Sequence, residues 1–176
     1  MQKLKLDKLN RKDVSAFKQA KKLPVVVVLD DIRSMLNEGS VFRSSDAFLI
    51  EKVILCGITA TPPHRDIQKT ALGATESVEW EYVPDINLAA LKLKGEGYCL
   101  IGVEQTDSSV LLTNWHADKT KKYAFVFGNE VNGISEKILP LLNYSLEIPQ
   151  EGTKHSLNVA VAAGIVLFEA FRQLNS

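Results

Sequence analysis

Five consecutive apolar residues, Val25-Val26-Val27-Val28-Leu29, constrain this chain more than any other stretch. A strand with one solvated face alternates apolar with polar residues. A strand that is apolar at every position must be covered on both faces, which is the situation inside a parallel sheet. Parallel neighbours need crossover connections, and the chain supplies them. Residues 98–103 and 123–127 repeat the buried-strand pattern, 52–56 reads as a further strand, and helical stretches lie between such segments. The reading is an α/β protein with a mostly parallel sheet and helices on both faces.

The helices follow from caps and periodicity. Asn37 is the expected N-cap of a helix over 38–49 that buries Val41, Phe42, Phe48 and Leu49. Shorter helices are expected over 67–71, over 86–93 with Gly95 and Gly97 closing it, and from a Ser135 cap to residue 142. In the half-exposed strand expected over 77–83, Val78, Trp80 and Tyr82 alternate with Glu79 and Glu81, and Trp80 reads as a packing residue. A short strand ends at Ile148. Pro149 and Gly152 then break regular structure, Ser156 stands where a cap is expected, and an apolar helix runs from there to Leu174.

At 176 residues and 45% hydrophobic content, the chain fits one domain with a full core. Its zero net charge is unevenly spread. Residues 1–22 hold eight Lys or Arg against two Asp, a surplus of six that the other 154 residues offset. The chain therefore divides into a basic N-terminal arm, 1–22, and a folded domain, 23–176. The arm reads either as a contact for a polyanion such as nucleic acid or as a solvated first helix. It lacks the apolar core of a secretory signal. The C-terminal apolar segment is interrupted by Asn158, Glu169 and Arg172 and falls short of the ~20 residues a membrane span needs. A cytoplasmic protein is expected, with no membrane association. Cys56 and Cys99 stand apart in apolar runs and read as buried free thiols, and His64, His116 and His155 are scattered, so no metal site is expected.

Three polar loops, 30–39, 128–133 and 149–158, follow buried strands. Strand carboxyl ends share one rim of a parallel sheet, where ligands of open α/β folds bind, so the three loops are expected to meet there. Gly128-Asn129-Glu130-Val131-Asn132-Gly133 is bounded by glycines, so its backbone is expected to approach a ligand closely. It lacks the Lys-Ser ending of a P-loop and does not fit GxGxxG. Gly39 lies one turn before Arg43, and the guanidinium is expected to pass over it toward the helix mouth, with a salt-bridged surface arginine as the competing reading.

These loops carry a resemblance. Asn37-Glu38-Gly39-Ser40-Val41-Phe42-Arg43, then 127–134, then Ile148-Pro149-Gln150-Glu151-Gly152 with 156–162, resemble in order and spacing the three motifs of the SpoU, or TrmH-like, RNA ribose 2′-O-methyltransferases. The resemblance implies a SPOUT fold with a deep C-terminal trefoil knot, a threading that general topology rules disfavour. It implies S-adenosyl-L-methionine as cofactor, held by Val103, Glu104, Gly128, Asn129, Ile148 and Leu157. It assigns catalysis to Arg43, Asn37, Glu130, Ser156 and Asn158. Asn37 and Asn158 would orient Arg43 and the ribose, Ser156 would position its loop, and Glu130 would fix the glycine loop or meet a neighbour's arginine. It also implies a homodimer, for which the C-terminal helix, apolar almost all round, is the expected interface. The substrate it suggests is a guanosine ribose in the tRNA D-loop, on the likeness of Gly102-Val103-Glu104-Gln105-Thr106. Ribosomal RNA is the alternative, and a catalytically silent RNA-binding module is the non-enzyme reading.

Overall fold

The structure, a computed structural model, describes residues 1, 3, 4 and 6–175; Lys5 of the basic leader lies outside them. Seven strands, β1 Leu23–Asp30, β2 Ile50–Cys56, β3 Glu79–Val83, β4 Tyr98–Val103, β5 Val110–Leu111, β6 Lys122–Phe127 and β7 Tyr144–Glu147, form one sheet. Its order is β3-β2-β1-β6-β4-β7-β5, with every pairing parallel. The valine run explains the arrangement, because β1 sits between β2 and β6 with both faces covered. Val25, Val27 and Leu29 join one core with Phe42, Ile67 and Leu167; Val26 and Val28 join a second with Ala89, Leu93 and Ile138. Helices α2 Met35–Ala47, α3 Arg65–Ala71, α4 Ala74–Ser77 and α6 Val159–Leu174 contribute to the first core, and α5 Ile86–Gly95 to the second. Both faces of the sheet therefore carry helices, as the sequence pattern required.

Ser135 stands at the start of a 3-10 helix, Glu136–Leu141, without a side-chain capping bond, and two other caps fall on residues other than those expected. Ser34, not Asn37, caps α2, accepting the Asn37 N–H at 3.3 Å, so the helix begins one turn early. Asn158, not Ser156, caps α6, its Oδ1 accepting from the N–H groups of Ala160 at 2.9 Å and Val161 at 3.4 Å. In each case another good capping side chain lies within three residues, and sequence order alone does not choose between them.

Residues 74–77 form α4, which leaves β3 to begin at Glu79. β3 is an edge strand, pairing with β2 alone among the described residues. Trp80 and Tyr82 are 36% and 44% exposed, in keeping with the half-exposed strand expected, and Trp80 lies outside both cores. The leader contains α1 Val14–Gln19, whose Phe17 is 4% exposed within the first core. The Lys22 ammonium closes the end of α1 by bonding the Phe17 carbonyl, and it lies 4.3 Å from the centroid of that ring. This part of the basic leader is thus docked on the domain. Cys56 is buried and Cys99 half-buried, both free. Among the described residues no helix is long and apolar enough to cross a membrane.

Candidate functional site

The carboxyl ends of β1, β4, β6 and β7 open on one rim, and the three polar loops meet there. The β6 loop is folded back on itself. Asn129 and Gly133 exchange backbone hydrogen bonds of 3.1 and 3.0 Å, and the Asn129 side chain accepts the N–H groups of Val131 and Asn132. A Cβ on Gly128 would stand 2.0 Å from the Gly133 carbonyl carbon, so only glycine permits this closure. Gly133 has φ +68°, and a Cβ there would fall 2.2 Å from a Glu104 carboxylate oxygen. Glu104 staples the loop to β4. Its Oε2 accepts the Ile134 N–H at 3.1 Å and its Oε1 the Gln105 N–H at 3.0 Å.

A cleft of about 340 Å³ runs along this loop, walled by Val103, Glu104, Gly128, Asn129 and Glu130 on one side and by Ser156 and Leu157 on the other. A smaller hollow of about 90 Å³ brings Ile148 against Val103, Glu104 and Leu157. The six residues expected to hold the cofactor are thus brought together. Gln105, which sequence reasoning did not single out, ties the third loop down, its Nε2 donating to the His155 carbonyl at 2.9 Å.

At the edge of this cleft three distant segments join through side chains. The Asn158 Nδ2 donates to Asn37 Oδ1 at 3.1 Å, and the Asn37 Nδ2 donates to Glu130 Oε1 at 2.7 Å. Asn158 fills two roles at once, capping α6 through its oxygen and holding Asn37 through its nitrogen, directly after Leu157 of the cleft wall. Ser156 lines the cleft and makes no cap.

Arg43 does not join them. The space beside Gly39 is filled by α3, since a Cβ on Gly39 would come within 2.2 Å of the Ile67 carbonyl oxygen and of Thr70 Oγ1. Gly39 is therefore a helix-packing position, which corrects the expected path of the guanidinium. Arg43 is exposed and lines a separate cleft of about 410 Å³ with Lys12, Asp46 and Leu72.

Next to Asn37 in the chain lies Glu38, fully buried. Its Oε1 accepts the Ala60 N–H at 3.3 Å, and its Oε2 has no partner among the described residues. Burial pushes this carboxyl up to about 7; the Ala60 N–H pulls the other way, and the charge of Glu130 adds to the rise. Nothing in the sequence singles it out, because a glutamate in a first helical turn normally faces water. Among the described residues no group of three or more His, Cys, Asp or Glu could hold a metal ion.

A family model described as the SpoU rRNA Methylase family matches residues 24–168. A 23S rRNA (guanosine-2'-O-)-methyltransferase, RlmB, of Neisseria meningitidis is 31% identical over 150 residues, covering 85% of this chain and 59% of the relative. An uncharacterized tRNA/rRNA methyltransferase of Borreliella burgdorferi is 30% identical over 152 residues, covering 85% of this chain and 64% of the relative. The chain thus spans less than two thirds of the length of these relatives. Among solved structures, the SpoU methyltransferase AviRb of Streptomyces viridochromogenes, in complex with AdoMet, superposes with a TM-score of 0.78 at 27% identity, covering 90% of this chain and 61% of that one. The A. aeolicus TrmH/SpoU tRNA modifying enzyme gives 0.79 at 26% identity, covering 90% and 79%.

Proposed function

This chain belongs to the SpoU rRNA methylase family, and from that premise we propose that it transfers a methyl group from S-adenosyl-L-methionine to a ribose 2′-hydroxyl of RNA. The observation that carries the reading is the chain Asn158–Asn37–Glu130 at the lip of the glycine-walled cleft. It joins the three loops beside the space that the cofactor would fill. The residues present fit the cofactor. The cleft falls within the range of about 300–1,000 Å³ usual for small-molecule sites, and the carboxylates of Glu104 and Glu130 in its wall suit a sulfonium cation. Val103, Glu104, Gly128, Asn129, Ile148 and Leu157 would hold it, and when bound it supplies an electrophilic methyl group.

The protein's own residues supply orientation and charge. A ribose hydroxyl is a weak nucleophile and must lose its proton as it attacks. Asn37 and Asn158 present fixed amides to the ribose, Ser156 adds a hydroxyl, and Glu130, held by Asn37, offers a carboxylate at the cleft. Arginine has a pKa above ~12 and stays protonated, so Arg43 serves by binding the adjacent phosphate and stabilising the developing alkoxide. Because Arg43 stands apart from its own chain's Asn37 and Glu130, the reading includes a homodimer in which a neighbour's Arg43 completes each site. The outer face of α6 supports that pairing. Val161, Ile165 and Phe168 are 51%, 38% and 53% exposed there, and they frame an apolar hollow of about 640 Å³. A knotted C-terminal segment and a cytoplasmic location belong to the same reading.

The substrate proposed is a guanosine ribose, first in the tRNA D-loop. The name of the Neisseria relative favours 23S rRNA as the second reading. One experiment separates them. The protein is incubated with methyl-labelled S-adenosylmethionine and separate pools of unmodified tRNA and rRNA, and label is located by nuclease mapping. Label in one pool identifies the RNA class; no transfer to either leaves a silent RNA-binding module.

A further inference from the structure

A second cleft lies among α1, α2 and the turn joining α3 to α4. Its walls are fixed. Phe17 anchors α1 in the core, and Asp13 caps that helix by accepting the Ala16 N–H at 2.7 Å. Asp46 accepts a hydrogen bond from the Ser77 hydroxyl. Two of its three carboxylates are therefore committed within the protein. The third, on Glu76, is exposed, as are the cations of Lys12 and Arg43. Among the described residues these three side chains make no hydrogen bond or ion pair. Gly73, at φ +89°, has no atom within 4 Å of where a Cβ would stand, so the floor is open, and Leu72, 66% exposed, gives it an apolar rim.

A simple anion would meet Glu76 beside the cations, and a simple cation would meet Lys12 and Arg43. A nucleotide satisfies both. Its phosphate or a base acceptor can take the cations, and a base N–H edge can take the carboxylate. Among the four bases, guanine alone pairs two adjacent donors, N1–H and the N2 amino group, with acceptors O6 and N7, and so matches a carboxylate on one edge and cations on the other. We propose that this cleft seats an unpaired guanine nucleotide of the RNA, next to the ribose methylated in the neighbouring subunit's site that Arg43 completes, with Glu76 reading the base and Lys12 and Arg43 holding its acceptors and phosphate. The proposal rests on the RNA reading above and adds a place where the strand is read.

The test is titration of the full chain with guanosine 5′-monophosphate and with adenosine 5′-monophosphate, followed by amide NMR shifts. The guanine nucleotide should shift residues 12–17 and 72–77 and bind about tenfold more tightly than the adenine nucleotide, the discrimination typical of one bidentate base contact. Glu76→Gln should bring the two affinities together, and Lys12→Ala should weaken both alike. Glu76 and Lys12 are exposed, so neither change threatens the core. Shifts confined to residues 128–133, equal affinities in the unaltered protein, or a preference that survives Glu76→Gln would overturn the assignment. Calorimetry with S-adenosylmethionine and labelled methyl transfer are read separately. A chain that methylates RNA without these shifts loses only this assignment, and one that shows them without methyl transfer loses only the enzyme reading.

Discussion

Replacing Glu38 by Gln should change how the stability of the fold depends on pH. Glu38 is fully buried, with one oxygen bonded to the Ala60 N–H and the other without a partner among the described residues. Its carboxyl titrates at about 7 in the folded protein against an ordinary value of 4.5. The folded state therefore keeps its proton through a window in which the unfolded chain has lost it. Stability from this group is complete below about pH 4.5 and is lost as pH rises through about 7. A difference of that size corresponds to about 3 kcal/mol.

The assay is urea unfolding of the wild type and Glu38→Gln at pH 5 and pH 8. The amide cannot ionise, and the unfolded carboxyl is already largely ionised at pH 5, so relative to wild type the variant should gain about 2.5 kcal/mol between the two pH values. Other shifted carboxylates do not confuse the comparison. Glu169, the most displaced downward, is held at about 2 by its hydrogen bond from Arg172 and is ionised throughout. Both proteins share such groups, so their effects cancel in the difference. Removing Glu130's charge should lower the Glu38 value, because that charge is one cause of its rise. Parallel stability curves for wild type and variant would show that the carboxyl is solvated, and the reasoning from burial would fail.

Three further sets of substitutions test the site. Arg43→Ala and Asn37→Ala should each reduce methyl transfer by about a hundredfold or more while leaving cofactor affinity by calorimetry within about threefold, as expected for groups acting chiefly on the transition state; disappearance of cofactor binding instead would put either residue in the wrong role. Gly128→Ala should weaken cofactor binding at least about tenfold, because the new methyl group meets the Gly133 backbone at 2.0 Å and must open the loop. Phe168→Glu should raise the dimer dissociation constant by about a hundredfold or more, read by sedimentation, since a buried aromatic contributes roughly 1.5–3 kcal/mol on each side of a two-fold interface; an unchanged sedimentation profile would remove α6 as the interface.

The architecture is readable in the sequence because strand burial leaves a mark at every position. Val25 to Leu29 fit only a doubly covered strand, and the parallel sheet follows. The β6 loop is readable as special through its glycines, but their reason is not the expected ligand approach: a side chain on Gly128 would meet the Gly133 backbone and one on Gly133 would meet Glu104, so both serve the closure of the loop. Direction and partnership are not readable. Gly39 is the contact point of α2 with α3, and a glycine required by packing looks the same in sequence as one that clears a path for Arg43. Ser34 and Asn158 take the caps expected of Asn37 and Ser156, and the side chain of Asn37, freed from capping, becomes the centre of the polar chain. Glu38 escapes notice because its one hydrogen bond comes from the loop carrying Ala60, which no local pattern predicts.

The docked leader changes how its own role must be tested. Deleting residues 1–22 would remove Phe17 from the core, and truncating a buried phenylalanine costs roughly 3–5 kcal/mol, so weaker RNA binding by the shortened protein would report on folding as much as on charge. Reversing charge at Lys3, Lys8 and Arg11, all exposed and all ahead of α1, leaves that anchor in place. If these residues meet phosphates, the slope of log affinity against log salt should flatten by about 0.7–0.9 for each phosphate no longer neutralised, while the unfolding midpoint stays unchanged. An unaltered slope with an intact fold would make the surplus charge a solvated face, and the recognition of RNA would then fall to the two clefts.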